Sequence, residues 1–233
     1  MTTSSGPRPL RLPSPPSNHA SPCGMRSSES SAVMLKGAFW FTLVCSVAVA
    51  VYAVVGYAFL TPGQTVHPAM KAAYAAYPWR ILIHVAASLV ALAVGPWQFI
   101  PALRRRKALH RGLGFVYFLA VFVGGISGLF TAFIAQGGMI SQVGFMTLSV
   151  LWVGSSIAAL SAIKRGDYLA HEAWAIRSFA LTFSAVTIRL QLGAGFASGH
   201  RFEDFYWMLS WTCWIPNLIV AEWLIRRRPA AEV

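Results

Sequence analysis

Charge is what this chain has least of. Asp, Glu, Lys and Arg make up only 11% of it, against about a quarter in soluble domains, which excludes an ordinary water-soluble globular protein. Acids are the scarcer sign: seven Asp and Glu face nineteen Lys and Arg, for a net charge of +12. Cysteine is sparse and scattered, and Cys23, Cys45 and Cys213 form neither a CxxC pair nor a spaced framework, excluding a zinc ribbon and a disulfide scaffold. No HExxH, Walker loop, GxSxG or GxGxxG element stands in a context that would support it, so the usual chemistries of soluble enzymes have no seat. The basic surplus does not point to nucleic acid either. Its residues cluster in short loops between apolar runs rather than along one helix face or arm.

What the chain does have is long apolar runs, with 56% of residues hydrophobic. Residues 1–33 are the exception: rich in Ser and Pro, with Arg8, Arg11 and Arg26, they lack apolar periodicity and are expected to form a disordered tail. A start at Met34 would set Lys36 directly before the first apolar run, which makes part of this tail a candidate gene-start artefact. From Gly37 to Leu60 there are 24 residues without a charge, longer than the 20 or so that cross a bilayer core and than a signal-peptide core. Five more segments follow, at about 79–100, 113–134, 141–162, 170–192 and 205–225. The expected architecture is all-α, a polytopic membrane bundle of six transmembrane helices over residues 34–228, with a short tail at 229–233. In the third segment Gly124 and Gly128 have the small-xxx-small spacing that lets helices approach closely in lipid.

Six spans put both termini on one side. The tail, the loop after the second segment, the loop after the fourth and the C-terminus hold 4, 5, 2 and 3 Lys or Arg, 14 in all, whereas the other side holds three, Lys71, Arg80 and Arg201. The positive-inside rule then makes both termini cytoplasmic, as in a multi-pass protein of a bacterial inner membrane. Arg104–Lys107 is expected to enforce that orientation and to contact anionic lipid. Trp79, Trp97, Trp207 and Trp223 fall near segment ends, as interfacial belts do.

Ionisable groups inside hydrocarbon are costly and are paired, cavity-facing or functional. Here they are His84, Arg177, Arg189 and Glu222, with His110, Arg111, His171 and Glu172 at the interface. His110 and His171 each follow positive charge at the start of an apolar segment, where the helix dipole favours the neutral, metal-binding ring. Two such rings at matching depth would suit the iron of a b-type haem, with Arg111 or Arg177 against its propionates and Trp174 alongside; the same site would suit a quinone headgroup. The plainer reading makes the histidines helix caps and pairs Arg177 with Glu222 or Glu172. His84 and Gln98, fourteen residues apart, fall on roughly one helix face, and with Arg177 and Arg189 they are candidates for a substrate cavity. Arg189 also has Glu203 and Asp204 as expected ion-pair partners.

The strings His84-x13-Gln98-Phe99, LRRR, LHRGLGFVY, HEAWAIRS, TIRL and AEW together resemble the bacterial membrane family catalogued as domain of unknown function 2306, over roughly residues 79–224. Its marked positions correspond to His84, Arg104, His110, Arg111, Gly114, Tyr117, His171, Trp174, Arg177, Arg189 and Glu222. The resemblance implies a membrane bundle and no particular activity. Histidines at membrane-boundary positions are also similar to those of cytochrome b and ferric reductase bundles, but two ligand pairs on opposite faces are lacking, which speaks against a two-haem wire. The leading expectation is a redox-type protein binding haem b or quinone near the cytoplasmic face, served by an electron-transfer partner. The alternatives are a small transporter or channel with a His/Arg-lined cavity, and a non-catalytic assembly or sensing partner.

Overall fold

The computed structural model describes the backbone of residues 22–55 and 67–227, with side chains from Phe39 onward. Two compact units divide the chain, Met1–Phe39 and Trp40–Val233. Helix α1 spans Pro22–Val54. Residues 22–33, expected above to lack regular structure, are therefore helical; once the apolar run has nucleated a helix, extending it upstream is far less costly than starting one. Residues 56–66 lie outside the described residues, and with them the end of the first expected span.

The second unit is built from helices. After α2 (Pro68–Ala76) and α3 (Pro78–Val94) comes a 3₁₀ turn, Gly95–Phe99. Then follow α4 (Pro101–Arg105), α5 (Lys107–Ala132), α6 (Gly138–Lys164), α7 (Tyr168–Thr182), α8 (Ser184–Ala197), α9 (Phe202–Thr212) and α10 (Ile215–Arg226). No strand occurs among the described residues. Five stretches are long and apolar enough to cross a bilayer: Pro78–Phe99, Lys107–Ala132, Gly138–Lys164, Tyr168–Ala197 and Phe202–Arg226, beside a shorter apolar helix at Phe39–Val54. The starts of α5 and α7 and the end of α10 share the end of the bundle that carries the basic loops, called the basic end below.

Side-chain placement is inverted relative to a soluble fold. Phe115, Met139 and Ile219 are 69%, 78% and 64% exposed, while Ser141, Ser156, Ser178 and Ser210 are fully buried. Without a hydrophobic drive between helices, small and hydroxylated residues bring backbones together. Gly124 and Gly128 serve that purpose: a Cβ on Gly124 would lie 3.2 Å from Trp152 and 3.3 Å from Ser88, and one on Gly128 only 2.7 Å from His84.

Two of the spans are broken near their middles. The Tyr168–Ala197 span is interrupted at Phe183, between α7 and α8, and the Phe202–Arg226 span at Cys213 and Trp214, between α9 and α10. The second break has a covalent cause, because Pro216 cannot donate to the carbonyl four residues earlier, that of Thr212. Gln191 supplies the missing donor, its Nε2 giving a hydrogen bond to Thr212 O at 3.1 Å while its Oε1 accepts from Thr212 Oγ1 at 3.2 Å. Asn217 joins the two breaks: its Nδ2 donates to Cys213 O at 3.0 Å and to Ala180 O at 3.2 Å, and its Oδ1 accepts from Thr187 at 3.1 Å. A freed carbonyl in hydrocarbon needs such a partner, and side chains of neighbouring helices are the available source.

Replacing Gln191 with Leu is expected to destabilise the bundle by roughly 0.6–2 kcal/mol, the range for hydrogen bonds between membrane helices. In a Pro216→Ala background, where the backbone N–H is restored, the same change should cost less. Reversible unfolding in mixed micelles measures both, and equal costs in the two backgrounds would refute the substitution of side chain for backbone.

Candidate functional site

At the basic end the two histidine-bearing helices start in the same way. His110 and His171 are each the fourth residue of their helix, with backbone N–H groups bonded to Arg106 O at 3.0 Å and Asp167 O at 2.9 Å. Asp167 caps α7 by accepting from Ala170 N at 2.9 Å. Arg104 reaches Glu172 at 2.8 Å and so ties the loop before α5 to the first turn of α7. His110 lies within electrostatic reach of His171 and Arg104. His171 donates from Nδ1 to Ala159 O at 2.9 Å, since a carbonyl can only accept, whereas His110 Nδ1 is buried without a hydrogen-bond partner.

The neighbouring charges are already committed. Arg177 makes a two-point pair with Glu222, with Nη2 3.0 Å from Oε2 and a second bond from Nε to Oε1, and its guanidinium lies 4.5 Å over the Trp174 ring. Arg111 is exposed. Arg177 is thus matched within the protein and is not held out toward an anionic group such as a propionate. Among the described residues no cluster of three or more His, Cys, Asp or Glu is placed to hold a metal ion.

A different cluster lies farther along the bundle. A cavity of about 800 Å³ opens between α1, α2, α3, α5, α6, α8 and α9, lined mainly by apolar side chains with His67, His84, Ser149, Arg189 and Tyr206 among them. A smaller cavity of about 170 Å³ shares His84, Ser149 and Arg189 and is further lined by Ser88, Trp152, Thr182, Ser184 and Cys213, so it reaches both helix breaks. Neither cavity is lined by His110, His171, Gln98 or Arg177. His84 gives its Nδ1 proton to Gly124 O at 2.8 Å, which leaves Nε2 as the uncommitted ring nitrogen.

Arg189 differs from Arg177. It donates to Ala185 O, one turn back on its own helix, at 2.6 Å, and it forms no ion pair among the described residues. Glu203 and Asp204, its expected partners, sit in the first turn of α9, and Glu203 faces Arg201 at 3.8 Å. Arg189 is eight residues from the end of α8, about 12 Å below the rim where those acids lie. The separation is what denies it a carboxylate.

Unbroken helices would set His171, Arg177 and Arg189 on one stripe and, as expected from their spacing, His84 with Gln98 on one face. The interruption at Phe183 and the 3₁₀ turn around Gln98, with its shorter period, change those registers. Gln98 lies beside α5 instead, its Oε1 3.5 Å from where a Cβ on Gly114 would stand. His67, a residue the sequence analysis does not single out, caps α2, accepting from Ala69 N at 3.3 Å, and stacks on Phe202 with ring centroids 4.3 Å apart. The Pro-Ala that follows His67 was the available signal, since proline favours the first turn of a helix.

Fold and site together define a polytopic helical membrane protein with an open, mainly apolar cavity that Arg189 lines. The model of the predicted membrane protein family known as domain of unknown function 2306 matches residues 81–225, more than half of the chain, and the protein belongs to that family. No curated protein and no solved structure matches it.

Because Gly128 leaves no space beside His84, Gly128→Ala is expected to push the imidazole off Gly124 O and destabilise the protein by about 1–3 kcal/mol. The cost should largely vanish in a His84→Ala background. Thermal unfolding of the four variants in detergent reads this out, and an undiminished cost without the ring would show that the glycine answers to something else.

Proposed function

We propose that the protein is a membrane carrier for amphipathic organic anions, whose polar group meets Arg189 and His84 while its apolar part occupies the larger cavity. The observation that carries this reading is Arg189: a guanidinium lining a mainly apolar cavity of about 800 Å³ without a carboxylate partner among the described residues. Isolated charge at membrane depth is costly. A ligand anion would complete it, and the volume falls in the range of sites that enclose small organic molecules.

The two mid-span breaks support transport over static binding. Discontinuous helices facing each other at the membrane centre are where secondary transporters place their substrate sites, and here Thr182, Ser184 and Cys213 at the breaks line the smaller cavity beside Arg189. The topology that goes with this reading has six spans, the first over Gly37–Leu60, and the basic end on the cytoplasmic side of a bacterial inner membrane. The 14-to-3 division of loop Lys and Arg supports it.

A haem or quinone held by His110 and His171 is the competing reading. It gains no volume from the cavities, which those residues do not line, and loses Arg177 to Glu222. Protein from haem-replete cells is expected to lack a Soret band. A band abolished by His110→Ala and His171→Ala would restore the redox reading.

The direct test is equilibrium binding of decane-1-sulfonate to the full chain in nanodiscs, with decyltrimethylammonium as the cationic control. Arg189→Gln should weaken sulfonate binding roughly ten- to hundredfold, as expected for loss of a hydrogen bond to a charged group worth about 1.5–3 kcal/mol. Equal affinity of wild type and Arg189→Gln, or equal binding of the cation, would overturn the proposal.

A further inference from the structure

Four hydroxyls form an unbroken chain through the middle of the bundle. Thr182 Oγ1 lies 2.9 Å from Tyr117 Oη, Tyr117 Oη lies 2.9 Å from Ser178 Oγ, and Ser178 Oγ lies 2.8 Å from Ser156 Oγ. All four side chains are buried, Ser156 and Ser178 completely. The chain therefore links α5, α6 and α7 without touching lipid or bulk water. Its Thr182 end lines the smaller cavity, where it shares the wall with His84 and Arg189.

The other end points toward the basic end. Ser178 is seven residues along α7 from His171, about 10 Å. Ser156 is three residues from Ala159, whose carbonyl His171 holds. Along this last stretch are two buried nitrogens without a partner, Gln98 Nε2 and His110 Nδ1. Gln98 is beside Gly114, one turn before Tyr117. Polar atoms left unpaired at membrane depth call for an account, and water is the usual partner.

Hydroxyls often serve only to hold helices together. A pure fastener uses each proton in one fixed bond. Here Trp152 Nε1 donates to Thr182 Oγ1 at 2.9 Å and Thr182 donates to Ser178 O at 3.0 Å, so the phenolic proton of Tyr117 faces two oxygens, Thr182 and Ser178, at the same distance. A group with two equivalent acceptors in a closed chain is the element a proton relay needs.

We propose that Thr182, Tyr117, Ser178 and Ser156 relay protons between the cavity and the His110–His171 end of the bundle. A proton entering from the His84 side binds Thr182 Oγ1 as the Thr182 hydroxyl turns from Ser178 O and gives its own proton to Tyr117, Tyr117 gives its proton to Ser178, and Ser178 to Ser156, which releases one proton. Each oxygen gains one O–H bond and loses one, every group ends neutral, and nothing is oxidised or reduced. Water held by Gln98 and His110 carries the proton over the remaining two turns. At the cavity end the charged and titratable neighbours are His84, Arg189 and Cys213, with His67 and Tyr206 farther along the wall of the larger cavity; toward the basic end they are the Arg177–Glu222 pair, His110, His171 and the Arg104–Glu172 pair. The relay stands without the anion reading, whereas any coupling of proton to anion movement rests on it.

The full chain in liposomes with trapped pyranine, under a potassium–valinomycin potential, tests the relay. Proton flux is measured with and without decane-1-sulfonate, an anion that does not itself ferry protons. Wild type is expected to carry protein-dependent flux in at least one condition, and Tyr117→Phe and Ser178→Ala to lower it roughly tenfold, the effect of raising one barrier by about 1.4 kcal/mol. Ser155→Ala removes a buried hydroxyl beside the chain, bonded to Trp152 O at 3.0 Å, but no relay oxygen and no cavity wall, and should keep the flux. Absence of flux in both conditions, or equal loss in Ser155→Ala and Ser178→Ala, would overturn the relay and leave a fastener, while decane-1-sulfonate binding judges the anion reading separately. Tyr117→Phe counts only if its melting matches wild type; otherwise Ser178→Ala decides.

Discussion

Water is missing from the bilayer core, and every polar group placed there must find its partner inside the protein. The consequences are clearest at the two broken spans. Pro216 frees a carbonyl, Gln191 crosses from α8 to satisfy it, and Asn217 fastens the Ala180 and Cys213 carbonyls on either side. A single proline thus sets the roles of two amides on different helices. The breaks persist because these side chains supply the donors that an unbroken backbone would have provided, and they open polar surface where the smaller cavity forms.

Against that background the two arginines of the Tyr168–Ala197 span mark a division of labour. Arg177 is neutralised by a two-point pair with Glu222 and covered by Trp174. Among the described residues Arg189 has only a carbonyl of its own helix and the walls of a cavity. Charge is costly in hydrocarbon, and the two differ in whether the protein completes the charge itself. Matched and unmatched cations separate on that ground, and the cavity is where a charge is left over.

Much of the architecture was legible in the chain. The five apolar stretches read from composition coincide with the long helices, and the Gly124–Gly128 spacing marks the close approach of α5 to α3 and α6. His110 and His171 do begin their helices in matching positions at one end. The arrangement of side chains was less accessible. Periodicity carried Arg177 and Arg189 onto one stripe because an unbroken helix was assumed, and nothing in a hydropathy pattern reports a break at Phe183. The stacking of His67 on Phe202 is hidden because the partner lies 135 positions away in the chain. The Tyr117–Ser178–Thr182 cluster was invisible for the same reason, since its members are separated by up to 65 positions.

By itself the sequence determined the solvent, five of the expected spans and the end of the bundle where basic residues gather, because transfer into hydrocarbon is a sum over residues that needs no knowledge of neighbours. Tertiary structure alone decided which arginine is matched, which histidine borders open volume, and which hydroxyls touch. Those outcomes depend on separations of about 3 Å between residues far apart in the chain. Such distances exist only once the helices have packed.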